Sequence, residues 1–289
     1  MTVLLQISDP HFGTERPEVV EGLVHLSQVQ RPDVVVLSGD ITQRATQRQF
    51  AAARAFCDRL GASARLAMPG NHDIPLFDIG RRVLRPYARY RAAFGEALEG
   101  EWSSPDMLVL TLNTTRPWRH KNGTLSASQI ERVAARLASA SPAQLRVVAV
   151  HQPMAVFREQ DEPDLMRGHA AALQRWAEAG VDLVLGGHIH LPYVVAVHER
   201  DASLARPMWV VQAGTAVSTR IRHEAGNSVN LIRRSAGQSP RWCRVERWDW
   251  QAGAGRFELA AVHQLPCGDA LQLADDRARA MAGTSGGPP

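Results

Sequence analysis

Five short polar blocks interrupt the apolar runs of this chain: Asp9-Pro10-His11, Gly39-Asp40, Gly70-Asn71-His72-Asp73, a single His151, and Gly187-His188-Ile189-His190. They offer carboxylates from Asp9 and Asp40, an amide oxygen from Asn71, and imidazoles from His11, His151, His188 and His190. A mixed nitrogen and oxygen set of this kind suits Zn, Mn or Fe, and no cysteine belongs to it. Glycines beside three of the blocks let the backbone turn sharply and approach a ligand closely. Taken singly, a histidine near a strand end is more often structural than ligating. The five blocks together reverse that reading.

The elements that must position these blocks are legible as apolar runs. Residues 3–7, 34–37, 64–67, 107–112, 147–150 and 181–185 are short, rich in Val and Leu, and read as strands buried on both faces. Helical spacing lies between several of them. Val19, Leu23, Leu26 and Val29 share one face, and so do Ile130, Val133 and Leu137 behind the capping box Ser126-x-x-Gln129. Thr46-x-x-Gln49 opens a further helix that carries Phe50 and Phe56.

This alternation predicts a layered α/β fold, in which ligands gather at the carboxyl ends of the strands, so the five blocks should converge on one edge. After His190 the pattern changes. Residues 208–211, 228–232, 243–248 and 257–262 read as strands with little helix between them, which suggests a second sheet. The expected architecture is a four-layer αββα sandwich of two mixed sheets flanked by helices. Residues 1–267 are expected to form a single catalytic domain. Residues 268–289, small and polar, are expected to be a flexible tail.

The order D-x-H, G-D, G-N-H-D, H, G-H-x-H resembles the signature of the calcineurin-like metallophosphoesterases, and all five blocks are present between residues 1 and 215. The resemblance implies that Asp9, His11 and His190 take one divalent ion. Asn71, His151 and His188 take a second, and Asp40 bridges both. It implies a phosphoester hydrolase in which a metal-bridging hydroxide attacks phosphorus, with the ions about 4 Å apart. By the same resemblance His72 is the general acid or a donor to the phosphate, and Asp73 could orient it. The metals stay open among Mn, Fe and Zn.

Within the family the ISDPHFG opening and the G-N-H-D block look most like the bacterial cyclic-nucleotide phosphodiesterase branch. A small phosphodiester, with cyclic nucleotides as candidates, is the expected substrate. A nucleotide-lipid pyrophosphatase usually has arginine where His72 stands, and a repair nuclease would need a capping domain and a broader basic surface. A non-catalytic scaffold that keeps the fold, as a retromer subunit does, would not need Asp9, Asp40 and His72 intact.

Composition agrees with a soluble phosphate-handling protein without demanding one. Of the 289 residues, 45% are apolar and 21% charged, and the net charge of +4 comes without a dense basic run, so a nucleic-acid partner is not expected. The opening residues fit neither a secretory signal nor a membrane span, which points to the cytoplasm. Cys57, Cys243 and Cys267 lack metal-site spacing and are expected to be free thiols. Two basic clusters, Arg116-Arg119-His120-Lys121 and Arg220-Arg222-His223, are candidates to line a substrate cleft. Edge strands in the C-terminal half could pair two chains as a homodimer. The remaining histidines and Trp242, Trp248 and Trp250 read as surface or packing residues.

Overall fold

The computed structural model describes residues 1–204, 206–222, 225–235 and 241–268. Of the tail expected over 268–289, everything beyond Gly268 lies outside the described residues. Two six-stranded sheets pack face to face. The first contains β1 (Thr2–Ile7), β2 (Val34–Ser38), β3 (Ala64–Met68), β10 (Ser228–Arg234), β11 (Trp242–Gln251) and β12 (Arg256–Pro266), in the order β12-β11-β10-β1-β2-β3. The second contains β4 (Gly100–Ser103), β5 (Met107–Thr111), β6 (Leu145–Ala149), β7 (Leu183–Gly186), β8 (Tyr193–Ala196) and β9 (Trp209–Gln212), in the order β4-β5-β6-β7-β9-β8.

Both sheets are mixed. β1, β2 and β3 run parallel, and β10, β11 and β12 extend that sheet antiparallel from β1. In the other sheet β5, β6, β7 and β9 are parallel, with β4 and β8 antiparallel at the two edges. The expected αββα sandwich is therefore present, but its sheets divide differently from the expected first and second halves. The strands after residue 228 complete the sheet begun by β1, and β9 joins the other one. Sequence order alone could not show this, because hydrogen-bond partners in a sheet need not be neighbours in the chain.

Alternation along each strand builds the layers. In β1 and β2, Leu4, Val34 and Val36 face the partner sheet, where they meet Val109, Val147, Leu183, Leu185 and Val211. Their alternates Val3, Leu5, Ile7, Val35 and Leu37 face α1 (Pro17–Gln30) and α2 (Gln47–Arg59). On the far side, Leu108, Leu110, Val148 and Val184 pack against α3 (Ala127–Ala138) and α4 (His169–Glu178). Strands sandwiched in this way read as continuous apolar runs, which is why they stand out in the sequence.

The helix starts follow the capping chemistry. Thr46 and Ser126 each accept the backbone N–H three residues on, and Gln49 and Gln129 close the two boxes, a cap that contributes about 1 kcal/mol. Val19, Leu23 and Leu26 are buried as expected, whereas Val29 is 59% exposed. Its turn is the last of α1, which ends at the left-handed Arg31, so the expected apolar face stops one turn early. The three cysteines are free and buried. Among the described residues no helix is long and apolar enough to cross a membrane.

Candidate metal centre

Parallel pairing brings the blocks together. The register Ile7↔Leu37 sets the loop after β1 beside the loop after β2, where Asp9 N–H donates to the Gly39 carbonyl at 3.2 Å and His11 N–H to the Asp40 carbonyl at 3.1 Å. The register Ser38↔Met68 places the loop after β3 next in line, and His72 N–H donates to Asp40 Oδ1 at 2.8 Å. In the second sheet, Ala149↔Leu185 aligns His151 with the loop after β7, and Gly187 N–H donates to the His151 carbonyl at 2.8 Å. Bonds then cross between the sheets. His151 Nδ1 lies 2.9 Å from the Ser38 carbonyl, and His188 N–H donates to Asp9 Oδ2 at 2.9 Å.

Close approach of these loops depends on glycine. Gly39 has φ near 92° with the His151 ring directly against it, and a Cβ on Gly70 would collide with the backbone of Asp40. Most of the candidate ligand residues are held in unusual conformations. Seven non-glycine residues among those described have positive φ, and five of them are Asp9 (50°), His11 (44°), Asp40 (47°), His188 (74°) and His190 (55°). Each such conformation costs about 1–2 kcal/mol, and such strain persists where the surrounding structure holds it, most often at functional sites.

The side chains form two clusters whose ligand atoms lie within 4.8 Å of one another: Asp9, His11 and His190, and Asp40, His151 and His188. In the first, His190 Nε2 lies 3.2 Å from Asp9 Oδ1 and 3.1 Å from His11 Nε2. In the second, His151 Nε2 lies 3.3 Å from Asp40 Oδ1 and 3.2 Å from Asn71 Oδ1. Asp40 belongs to both neighbourhoods, because its Oδ2 is 3.8 Å from His11 Nε2 while its Oδ1 faces His151.

Charge and burial explain how these groups titrate. Burial would raise the carboxyl pKa of Asp9, but His190 and then His151 outweigh it and hold it far below its ordinary value. Burial likewise opposes the charge on Asp40, and His151, His72 and His11 override it and lower its pKa well below the usual range. Burial pushes His11 down to about 3. It works against the charge on His151 too, but Asp40, Asp9 and the Ser38 carbonyl raise that group to about 9. Burial lowers His188.

Several buried polar atoms are left without a hydrogen-bond partner: Asp9 Oδ1, His11 Nδ1 and both ring nitrogens of His188. Unsatisfied groups of this sort are costly inside a protein. A cation accounts for those that face the clusters, so the residues fit a pair of divalent ions.

His72 stands at the edge of the second cluster, with Nε2 4.0 Å from Asp40 Oδ2. Its Nδ1 meets the Gln43 carbonyl at 3.0 Å, and Arg220 Nη1 lies 3.1 Å from Nε2 and 3.0 Å from Gln43 Oε1. Asp73 does not orient His72. Its carboxylate accepts the N–H groups of Ile41 (3.0 Å), Thr42 (2.8 Å) and Gly70 (2.9 Å) and the Thr42 hydroxyl (2.8 Å), so it ties the β2 loop to the β3 loop. A carboxylate one residue from an imidazole looks like its orienting partner in sequence, but here the two side chains leave the short 3-10 turn Asn71–Asp73 toward different neighbours.

A cleft of about 370 Å³ opens over the clusters, lined in part by Gln43, Arg44, His72, His120, Lys121 and Arg220. Each basic cluster thus contributes part of itself. Arg116 is turned to Gln129 and the carbonyls of Asn113 and Thr115, Arg222 is paired with Asp161, and His223 lies outside the described residues. Gln43 and Asp164, which approaches His188, were not expected from the sequence. Gln43 lies three residues after Asp40, a nearness that could have marked it, whereas nothing in the sequence marks Asp164.

Two mixed sheets whose parallel strands end on paired carboxylate and imidazole clusters define a metallophosphoesterase type of protein. The chain belongs to the calcineurin-like phosphoesterase family, whose model matches residues 2–192. No curated protein matches it. Among solved structures, it is similar to the purple acid phosphatase PPD1 of yellow lupin (Lupinus luteus) seeds, at 12% identity and a TM-score of 0.68, covering 94% of this chain and 55% of that one. It is also similar to a protein designated a 5′-nucleotidase from Staphylococcus aureus, at 13% identity and a TM-score of 0.50, covering 93% of this chain and 54% of that one. Vacuolar protein sorting 29 of Cryptosporidium parvum matches at 13% identity and a TM-score of 0.48, covering 92% of this chain and 98% of that one. The chain spans about half the length of the phosphatase and of the nucleotidase.

Proposed function

We propose that this chain is a two-metal phosphodiesterase acting on small phosphodiesters, with cyclic nucleotides the first substrates to screen. The observation that carries the reading is Asp40, whose two carboxylate oxygens face separate candidate ligand clusters, with the side chains of His72 and Arg220 beside them at the cleft. Asp9, His11 and His190 would hold one ion and Asn71, His151 and His188 the other, with Asp40 shared between them. Two divalent ions supply Lewis-acid stabilisation of phosphate charge and lower the pKa of a water that serves as nucleophile.

The residues then divide the remaining work. Arg220 Nη1 binds a non-bridging phosphate oxygen. His72 would act as general acid in its imidazolium form: it keeps Nδ1–H on the Gln43 carbonyl and, once Arg220 Nη1 has turned from Nε2 to the phosphate, gives the Nε2 proton to the leaving oxygen. The carboxylates of Asp9 and Asp40 would offset two of the four charges of a divalent pair, so the centre would keep a positive charge that complements an anionic diester.

The test compares bis(p-nitrophenyl) phosphate with p-nitrophenyl phosphate in Mn-loaded protein. Asp40→Ala should abolish turnover, and His72→Ala should lower kcat by about 10²–10⁴, the usual contribution of a general acid, with metal content unchanged. A metal-loaded protein that cleaves neither ester contradicts the hydrolase reading for simple esters and favours a non-catalytic scaffold. A protein that cleaves only the monoester contradicts the diester preference.

A further inference from the structure

A carboxylate outside the five blocks reaches the second cluster. Asp164 ends the short 3-10 segment Glu159–Asp164, and its Oδ1 lies 3.8 Å from His188 Nε2 while pairing with Lys121 Nζ. The segment is anchored on both sides: Asn122 Nδ2 donates to the Pro163 carbonyl at 2.9 Å, and Arg222 pairs with Asp161 at 3.0 Å. Its position beside His188 is therefore built into the fold.

An imidazole that ligates a metal through one nitrogen almost always gives the N–H of the other to a carbonyl or carboxylate, which fixes its tautomer and aim. His151 and His190 have such acceptors at Nδ1, the carbonyls of Ser38 (2.9 Å) and Arg220 (2.5 Å), which leaves Nε2 of each for an ion. His188 has none among backbone carbonyls. Its side chain is 5% exposed, both ring nitrogens lack a hydrogen-bond partner, and the acceptor in reach lies on the Nε2 side.

We propose that Asp164 is the positioning residue for His188: it takes the Nε2–H and leaves Nδ1 to bind the second ion, the reverse of the tautomer in His151 and His190. Lys121, the sole lysine of the chain, holds the Asp164 carboxylate in place from the cleft wall. The inference rests on the two-ion reading above.

Calorimetric titration of Mn into the metal-free full chain tests it without reference to turnover. Wild type should bind two ions. Asp164→Ala should weaken one of them by about 10–100-fold, the usual effect of losing such a partner, and leave the other unchanged. Asp164→Asn, which keeps an acceptor oxygen but not the charge, should fall between. In Zn-loaded wild type, ¹⁵N–¹H correlation of the histidine rings should show His188 protonated at Nε2 and shifted by the ion at Nδ1. Equal affinities for both ions in Asp164→Ala, or ligation through Nε2 in wild type, overturns the proposal. If Asp164→Ala does not fold, the wild-type ring spectrum decides. A wild type that binds fewer than two ions would instead refute the two-ion reading itself.

Discussion

His151 shows how a single residue can couple the centre to pH. Its charge is opposed by burial but favoured more strongly by Asp40, Asp9 and the Ser38 carbonyl, so its pKa rises to about 9, while His11, pushed to about 3 by burial, is neutral throughout the working range. At pH 7 the metal-free ring of His151 therefore carries a proton that an incoming ion must displace. The sign follows: apparent metal affinity should climb with pH, by up to about tenfold per unit for this one proton, and level off above about pH 9. Titrations at pH 7 in two buffers of different ionisation heat should show about one proton released on this account. An affinity that stays flat between roughly pH 6.5 and 8.5 contradicts the assignment. The candidate ligands were all legible from residue type and order, whereas this difference between two histidines was not, because it depends on which carboxylates and carbonyls the folded loops place around each ring.

At the scale of elements, the strand-end loops rather than the strands carry the site, and Asp73 is the staple between two of them. It is buried, accepts three backbone N–H groups and a hydroxyl, and has its pKa raised to about 7 by burial and then by Asp40. Asp73→Ala strips those donors of their acceptor and should destabilise the protein by about 2–4 kcal/mol, the cost of leaving buried donors unpaired. It should also lower metal affinity by loosening the Asn71 and Asp40 loops against each other. Denaturant unfolding and metal titration of the variant measure the two effects, and an unchanged midpoint would remove the staple role. The strands and the capped helices could be read from apolar runs and from Thr46 and Ser126, because those signals are local. The loop-to-loop bonds of Asp73 join residues about thirty positions apart, and no local pattern encodes them.

Across the whole molecule, the two sheets bring candidate ligands from both ends of the family-matched region to one edge, at the expense of five left-handed backbones and two buried carboxylates. Ions that bind only the folded chain should recover that cost by mass action. At about 100 times its Kd, one ion adds about 2.7 kcal/mol to unfolding. Chelation should consequently lower Tm by several degrees and Mn should restore it, while Asp40→Ala, which lacks the shared ligand, should lose most of the response. A Tm indifferent to chelator and Mn in the wild type would argue against a metal centre of this strength.

The sequence by itself determined the types of the candidate ligands, their order along the chain, the buried strands that precede them, and the capped helices, since each of these is written in residues a few positions apart. It also carried the resemblance that implies the family. Tertiary structure alone decided how the described strands divide between two sheets, that β10, β11 and β12 complete the sheet of β1, and that Asp73 serves the loops rather than His72. It alone brought Gln43 and Asp164 to the centre and picked Arg220 out of its basic cluster to face His72. These depend on contacts between distant segments, whose partners are chosen by the packing of the whole chain and leave no periodicity or spacing for a sequence to display.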